Sequence, residues 1–248
     1  MDILTQYLSA TSPRSLISNK NTGIAISING TSGTSHGVVF NYDNPKEILA
    51  TGGGEIVITG SGSGSNYGIF LQNQDILATS GTITLNGGAK GIYVANAGMR
   101  LGRKAGSTID TSASDINLIA DSFSFVNTSE LNTSGKISLK SSSDSFTSAL
   151  SFPLSNLMLS NDVSGLTLGK NGNIANVTLT SAQNVSGAIL VYGGTISVNA
   201  NLTSTATTGT GISLNGQKII HPAGVSVTTS GSNIDYLVTN SPWTSAED

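Results

Sequence analysis

Ile26-Ser27-Ile28-Asn29-Gly30, running on to Gly37-Val38-Val39-Phe40, is the stretch whose reading decides the fold, because it returns twice. Ile56-Val57-Ile58-Thr59-Gly60 runs on to Gly68-Ile69-Phe70-Leu71, and Ile83-Thr84-Leu85-Asn86-Gly87 runs on to Gly91-Ile92-Tyr93-Val94. The first two units are followed by Ile48-Leu49-Ala50-Thr51 and Ile76-Leu77-Ala78-Thr79. The triplets recur at spacings of 30 and 27 residues, and the length change is absorbed in Gly/Ser turns. Fixed strands with variable turns at such a period mark a solenoid.

Working outward, the same apolar–x–apolar triplet continues along the chain. It stands at Ile116-Asn117-Leu118, Ile137-Ser138-Leu139, Leu166-Thr167-Leu168, Val177-Thr178-Leu179, Ile196-Ser197-Val198, Ile212-Ser213-Leu214 and Val225-Ser226-Val227. Alternation at period two puts the outer residues of each triplet on one face of a strand. Strands this short, with one buried face each, must stack on neighbours. Three strands per repeat, all turning the same way, give an all-β chain: a right-handed single-stranded parallel β-helix. At ~20–25 residues per coil the chain makes about ten coils, a rod of about 50 Å. Its core is stacked Ile, Leu and Val, with Phe123 and Phe125.

Hairpin signals joining neighbouring strands, which a sandwich or barrel needs, are weak. Asn29-Gly30, Asn86-Gly87 and Asn215-Gly216 each directly follow a triplet, a placement that suits coil corners, as does Asn171-Gly172. Gly and Asn tolerate the positive φ that a sharp corner is expected to demand. A propeller needs longer strands and aromatic motifs in each blade.

The rhythm divides the chain. Residues 1–20 form an N-terminal flank, 21–145 and 160–235 the coils, and 236–248 a C-terminal flank. Residues 146–159, where Leu150, Phe152, Leu154, Leu157, Met158 and Leu159 crowd around Pro153, are an expected irregular insertion or excursion.

Composition narrows the function. Charged residues are 10% against 37% apolar, which argues for a packed chain and against disorder. A net charge of −3 attracts neither nucleic acid nor an anionic membrane. Arg100, Arg103 and Lys104, the one basic cluster, read as a solvated turn. With no cysteine, disulfides and thiolate metal sites are excluded. No segment approaches the ~18 apolar residues of a membrane span. The first residues carry no signal-peptide pattern, as expected of a cytosolic protein and equally of an internal piece of a longer exported one.

The search for chemistry assigns no catalytic, cofactor or metal residues. His36 and His221 lack partners at ligand spacing and read as exposed and inert. The carboxylates Asp43, Glu47, Asp75, Asp110, Asp121, Asp144 and Asp162 are scattered singly at turns. The closest grouping, Asp110, Asp115 and Asp121, lacks basic partners on its own strand, whereas glycosidic cleavage needs an acid and a base or a metal. Gly60-Ser61-Gly62-Ser63-Gly64 is a turn, since no phosphate-loop Lys follows it. Gly52-Gly53-Gly54 lacks the Asp of calcium-binding repeats. Thr84, Thr167 and Thr178 would start an ice-binding ladder, but Ser27, Val57, Asn117, Ser138, Ser197 and Ser213 break it. Asn-x-Ser/Thr sequons at Asn29, Asn127, Asn132, Asn176, Asn184 and Asn201 are expected by chance in so Asn/Ser/Thr-rich a chain.

Leu166-Thr167-Leu168-Gly169, Val177-Thr178-Leu179 and the run from Ile189 to Ser204 resemble filamentous-haemagglutinin-type adhesins, as does Asp115 to Phe123. The likeness is clearest over about 160–230 and weaker from about 48 to 145. It implies a secreted or surface-displayed bacterial exoprotein, two-partner-secreted or autotransported, with a non-catalytic β-helical stalk for cell adhesion. It implies as partners a host or cell-surface receptor or glycan, and an outer-membrane transporter during secretion. The secretion domain's amino-terminal motif and a membrane barrel are both missing from the pattern. A carbohydrate-active β-helix enzyme and an ice- or glycan-binding module are the alternatives.

Overall fold

The computed structural model describes residues 15–41, 47–102, 113–160 and 162–239. Among them are twenty-two strands in sheets of eleven, eight and three, with no helix. Among the described residues no helix is therefore long and apolar enough to cross a membrane. Every strand pair is parallel, and each joins segments far apart in sequence: Ile116 pairs with Ile137 on one side and with Ile83 on the other.

Traced through these pairings, the chain visits three ladders in one cyclic order. The first holds nine strands without a break, from Ile24–Thr31 and Glu55–Ser61 through to Thr210–Ile220 and Asn233–Val238. The second starts at Val38–Phe40 and the third at Ser15–Ser18. Strands such as Ile69–Ala78 and Ile92–Leu101 bend midway, so their first halves lie in the second ladder and their second halves in the third.

The triplets explain the register. In the first ladder one inward column runs Ile26, Ile56, Ile83, Ile116, Ile137, Leu166, Ile189, Ile212. Its neighbour runs Ile28, Ile58, Leu85, Leu118, Leu139, Leu168, Val191, Leu214, and both columns are buried. Burying one such side chain contributes about 1.5–3 kcal/mol. A slip of one residue would turn all of them to solvent, so the register is strongly fixed.

Several expectations need correcting. The interruption at 146–159 is narrower than the sequence suggests: Leu150–Phe152 pairs with Val177–Leu179, and Leu157–Leu159 with Ser129–Leu131. Each is an alternating triplet that supplies an inward apolar residue, so each stays in a ladder. What breaks is the pairing between circuits. Phe123–Phe125 does not pair with Leu150–Phe152, nor Leu157–Leu159 with Gln183–Val185, while the first ladder runs past both gaps. The flanks are shorter than expected, because Ser15–Ser18 pairs with Glu47–Ala50 and the last strand reaches Val238. Residues 1–14 and 240–248 lie outside the described residues. At Val225-Ser226-Val227 the strand begins only at Val227, because the turn through Ala223 and Gly224 displaces it.

Corner chemistry meets expectation in part: Gly172, Gly88 and Gly91 have positive φ, whereas other corner glycines do not. Gly30, Gly60 and Gly87 do not have positive φ. They stand at equivalent points of successive circuits, where a Cβ would collide with the carbonyl oxygens of Gly37, Gly68 and Gly91 respectively. Their lack of a side chain lets two backbone segments touch across the corner. Among non-glycine residues, Asn73 has positive φ, beside the register shift between Gln72 and Gln74. Gly60→Ala is therefore expected to cost about 2 kcal/mol or more, read as a fall in urea midpoint. Gly33→Ala, where a Cβ meets nothing within 4 Å, should leave the midpoint unchanged.

Candidate functional site

Residues that the sequence scatters are brought together by the register. The outward position of the second ladder carries Val39, Phe70, Tyr93 and Ser124 on successive strands. Just before this ladder, at the preceding corner, stand His36 and Tyr67. The four rings form one half-buried cluster. Tyr67 stacks on Tyr93 at 4.5 Å and on His36 at 5.7 Å, and Phe70 lies 5.3 Å from Tyr93 and 4.9 Å from His36. Such pairs contribute about 0.5–1.5 kcal/mol each beyond their burial. Ser124, small and next in register to Tyr93, ends the stack with a step down. Lys90 lies at the neighbouring turn, its Nζ donating to the carbonyl of Gly64 at 2.7 Å.

His36 is thus neither fully exposed nor inert. Its Nδ1 accepts the Tyr67 backbone N–H at 2.8 Å, so the ring is neutral with its proton on Nε2. Burial holds its pKa below the ordinary value of 6.5. Nothing in the sequence signals this contact, because thirty-one residues separate the two groups.

On the third ladder the register builds a charged column: Glu47, Asp75, Arg100 and Glu130 occupy successive strands. Ser15 Oγ donates to Glu47 Oε2 at 3.2 Å, and Arg100 Nε donates to Asp75 Oδ1 at 2.5 Å. Asp75 is only 1% exposed. The basic partner that the carboxylates lack along the sequence is supplied by the next circuit. Adjacent strands lie ~4.8 Å apart, a spacing slightly below the about 5–5.5 Å between the carboxyl groups of retaining glycosidases. Asp75, however, is shielded from any substrate and held by a guanidinium, as a structural ion pair is.

The remaining sequence candidates do not converge. His221 is exposed. Asp121 is buried and accepts hydrogen bonds from the Ser143 backbone and hydroxyl, while Asp115 accepts the Lys136 N–H at 2.8 Å. Asp43, Asp110, Arg103 and Lys104 lie outside the described residues. Among the described residues no group of three or more His, Asp or Glu is placed to hold a metal. The outward column of the first ladder reads Ser27, Val57, Thr84, Asn117, Ser138, Thr167, Leu190, Ser213, Asp235, which is no threonine array. A cleft of about 480 Å³, lined in part by Leu157, Met158, Val163 and Gln183, opens where the third ladder breaks.

Arg100→Met leaves Asp75 buried without its guanidinium and should cost about 2–3 kcal/mol, since Arg100 is partly exposed; the Asp75→Leu, Arg100→Met double variant should recover much of that loss in chemical denaturation. For His36 the folded pKa lies below the unfolded one, so the folded state binds fewer protons. Its contribution is complete above pH 6.5 and is lost as pH falls below that value. The thermal midpoint of the native chain should therefore drop between pH 7.5 and 5 by more than that of His36→Asn, which can keep the Tyr67 hydrogen bond without titrating. Compared with protein-family models, curated proteins and solved structures, the chain shows no match.

Proposed function

We propose that the three ladders are the faces of a right-handed single-stranded parallel β-helix, and that the chain is a non-catalytic, adhesive rod of a secreted or surface-displayed bacterial adhesin. The observation that carries the reading is the unbroken nine-strand first ladder, with one apolar pair per circuit pointing inward. Nine strands account for nine of the about ten coils expected. Right-handedness is favoured because parallel crossovers follow the right-handed twist of their strands. A rod of stacked coils has no intrinsic catalytic chemistry, and it presents outward side chains in columns with a regular spacing.

The adhesive surface in this reading is the aromatic cluster. A ring carries negative charge on its face, which suits the polarised C–H groups of a sugar, and the Tyr hydroxyls supply polar edges. Tyr93 has the small Ser124 as its register neighbour on the side away from Phe70, so no ring of the next strand covers it there. The charged column around Asp75 is the one observation that favours the rival reading, a carbohydrate-active enzyme; burial of Asp75 weighs against it.

The test is binding of the purified chain to a glycan array and to epithelial cells, with Tyr93→Ala and Lys218→Ala, a site remote in sequence, compared side by side. Tyr93→Ala should weaken binding about tenfold or more, with Lys218→Ala unaffected. Equal binding by both variants would remove the cluster from the reading. Release of reducing ends from polysaccharide would replace the adhesive function with a catalytic one.

A further inference from the structure

Four Asn-Gly pairs lie along the chain, at Asn29-Gly30, Asn86-Gly87, Asn171-Gly172 and Asn215-Gly216. Three of them sit inside paired strands, in Ile24–Thr31, Ile83–Gly88 and Thr210–Ile220, where Gly30, Gly87 and Gly216 are buried. Two of these asparagines are also held by local hydrogen bonds: Asn29 Nδ2 donates to Ser27 Oγ at 3.3 Å, and Asn86 Oδ1 accepts the Gly88 N–H at 3.0 Å. Asn171-Gly172 is placed differently. The Asn173 N–H donates to the Lys170 carbonyl at 3.0 Å and closes a turn with Asn171 and Gly172 at its centre. Gly172 has a φ of +92°, as the third residue of a type II turn does. Both central residues are exposed, and a Cβ at Gly172 would meet nothing within 4 Å. Among the described residues nothing is bonded to the Gly172 N–H or to the Asn171 side chain.

We infer that Asn171-Gly172 is a site of spontaneous deamidation and isomerisation, the one Asn-Gly pair of the four that the native fold leaves reactive. The Gly172 backbone nitrogen attacks Cγ of Asn171. The N–Cγ bond forms as the Cγ–Nδ2 bond breaks, and Nδ2 leaves as ammonia with the proton that the Gly172 nitrogen gives up. Water then opens the succinimide ring. Attack at Cγ leaves Asp, and attack at the backbone carbonyl carbon leaves isoaspartate, with the chain running through the former side chain. Glycine permits the approach because no side chain crowds its nitrogen. Inside a ladder the same ring closure would break the strand pairing, so it must wait for local opening. The turn hangs between two anchors. Lys170 Nζ donates to the Ser142 carbonyl at 3.1 Å, and buried Asn173 accepts the Ser145 hydroxyl at 2.8 Å and the Phe146 N–H at 3.2 Å. Isoaspartate adds one backbone atom between these anchors. Either product sets a carboxylate beside Lys170 and takes the net charge one unit below −3. The inference is independent of what the aromatic cluster binds.

The test is ageing of the purified chain in mildly alkaline heavy-oxygen water, with peptide mapping by mass spectrometry at intervals. One label should enter the Asn171 peptide at each conversion, and protein isoaspartyl methyltransferase should mark the same peptide. Asn171 should convert about tenfold or more faster than Asn29, Asn86 and Asn215, each of which needs local opening. In concentrated urea, where the ladders are gone, the four rates should converge. Asn171→Gln should stop the early gain of negative charge seen by isoelectric focusing. Equal rates at the four sites in the native chain, another of the four leading, or the same preference for Asn171 in urea would overturn the inference. So would a native chain that keeps Asn171 while the chain in urea loses it.

Discussion

A strand of three residues buries too little to hold itself, and in this protein everything rests on stacking such strands in strict register. The backbone ladder supplies hydrogen bonds between circuits, and the inward Ile and Leu of each triplet supply the apolar contact. Neither is sufficient alone. A slipped ladder keeps its hydrogen bonds and exposes its core, while apolar residues without a ladder leave backbone polar groups buried and unpaired. The glycines at the corners belong to the same constraint, since a Cβ at Gly60 would hold apart two backbone segments that the circuit must bring into contact.

Once register is fixed, the outward positions lose their independence. Residues about twenty to thirty apart become neighbours at the ~4.8 Å spacing of strands. The four-ring cluster and the Glu47–Asp75–Arg100–Glu130 column are two products of that rule. In the second, Asp75 is buried, and Arg100 arrives from the following circuit to pair with it. In the first, burial lowers the pKa of His36, and its ring accepts a backbone N–H from the following circuit. Outward chemistry here is therefore written vertically, along columns, and a reading along any one strand misses it.

The ladders do not depend equally on one another. Two of them break on either side of 146–159 while the first continues, so the first is the structural spine and the others accommodate variable turns. The cleft beside Leu157 and Gln183 is the visible consequence.

The sequence by itself determined the period, the parallel all-β class and the inward residues of the first ladder, because alternation and recurrence are local properties that burial enforces strand by strand. Ile189-Leu190-Val191 escaped that reading, since an unbroken apolar run hides its alternation; the structure sets it in the first ladder with Leu190 facing outward. Only the tertiary structure decided which outward residues meet and that 146–159 keeps two strands in the ladders. Turn lengths differ from circuit to circuit, so register between circuits is settled by the packing of the whole stack, and no single segment contains it.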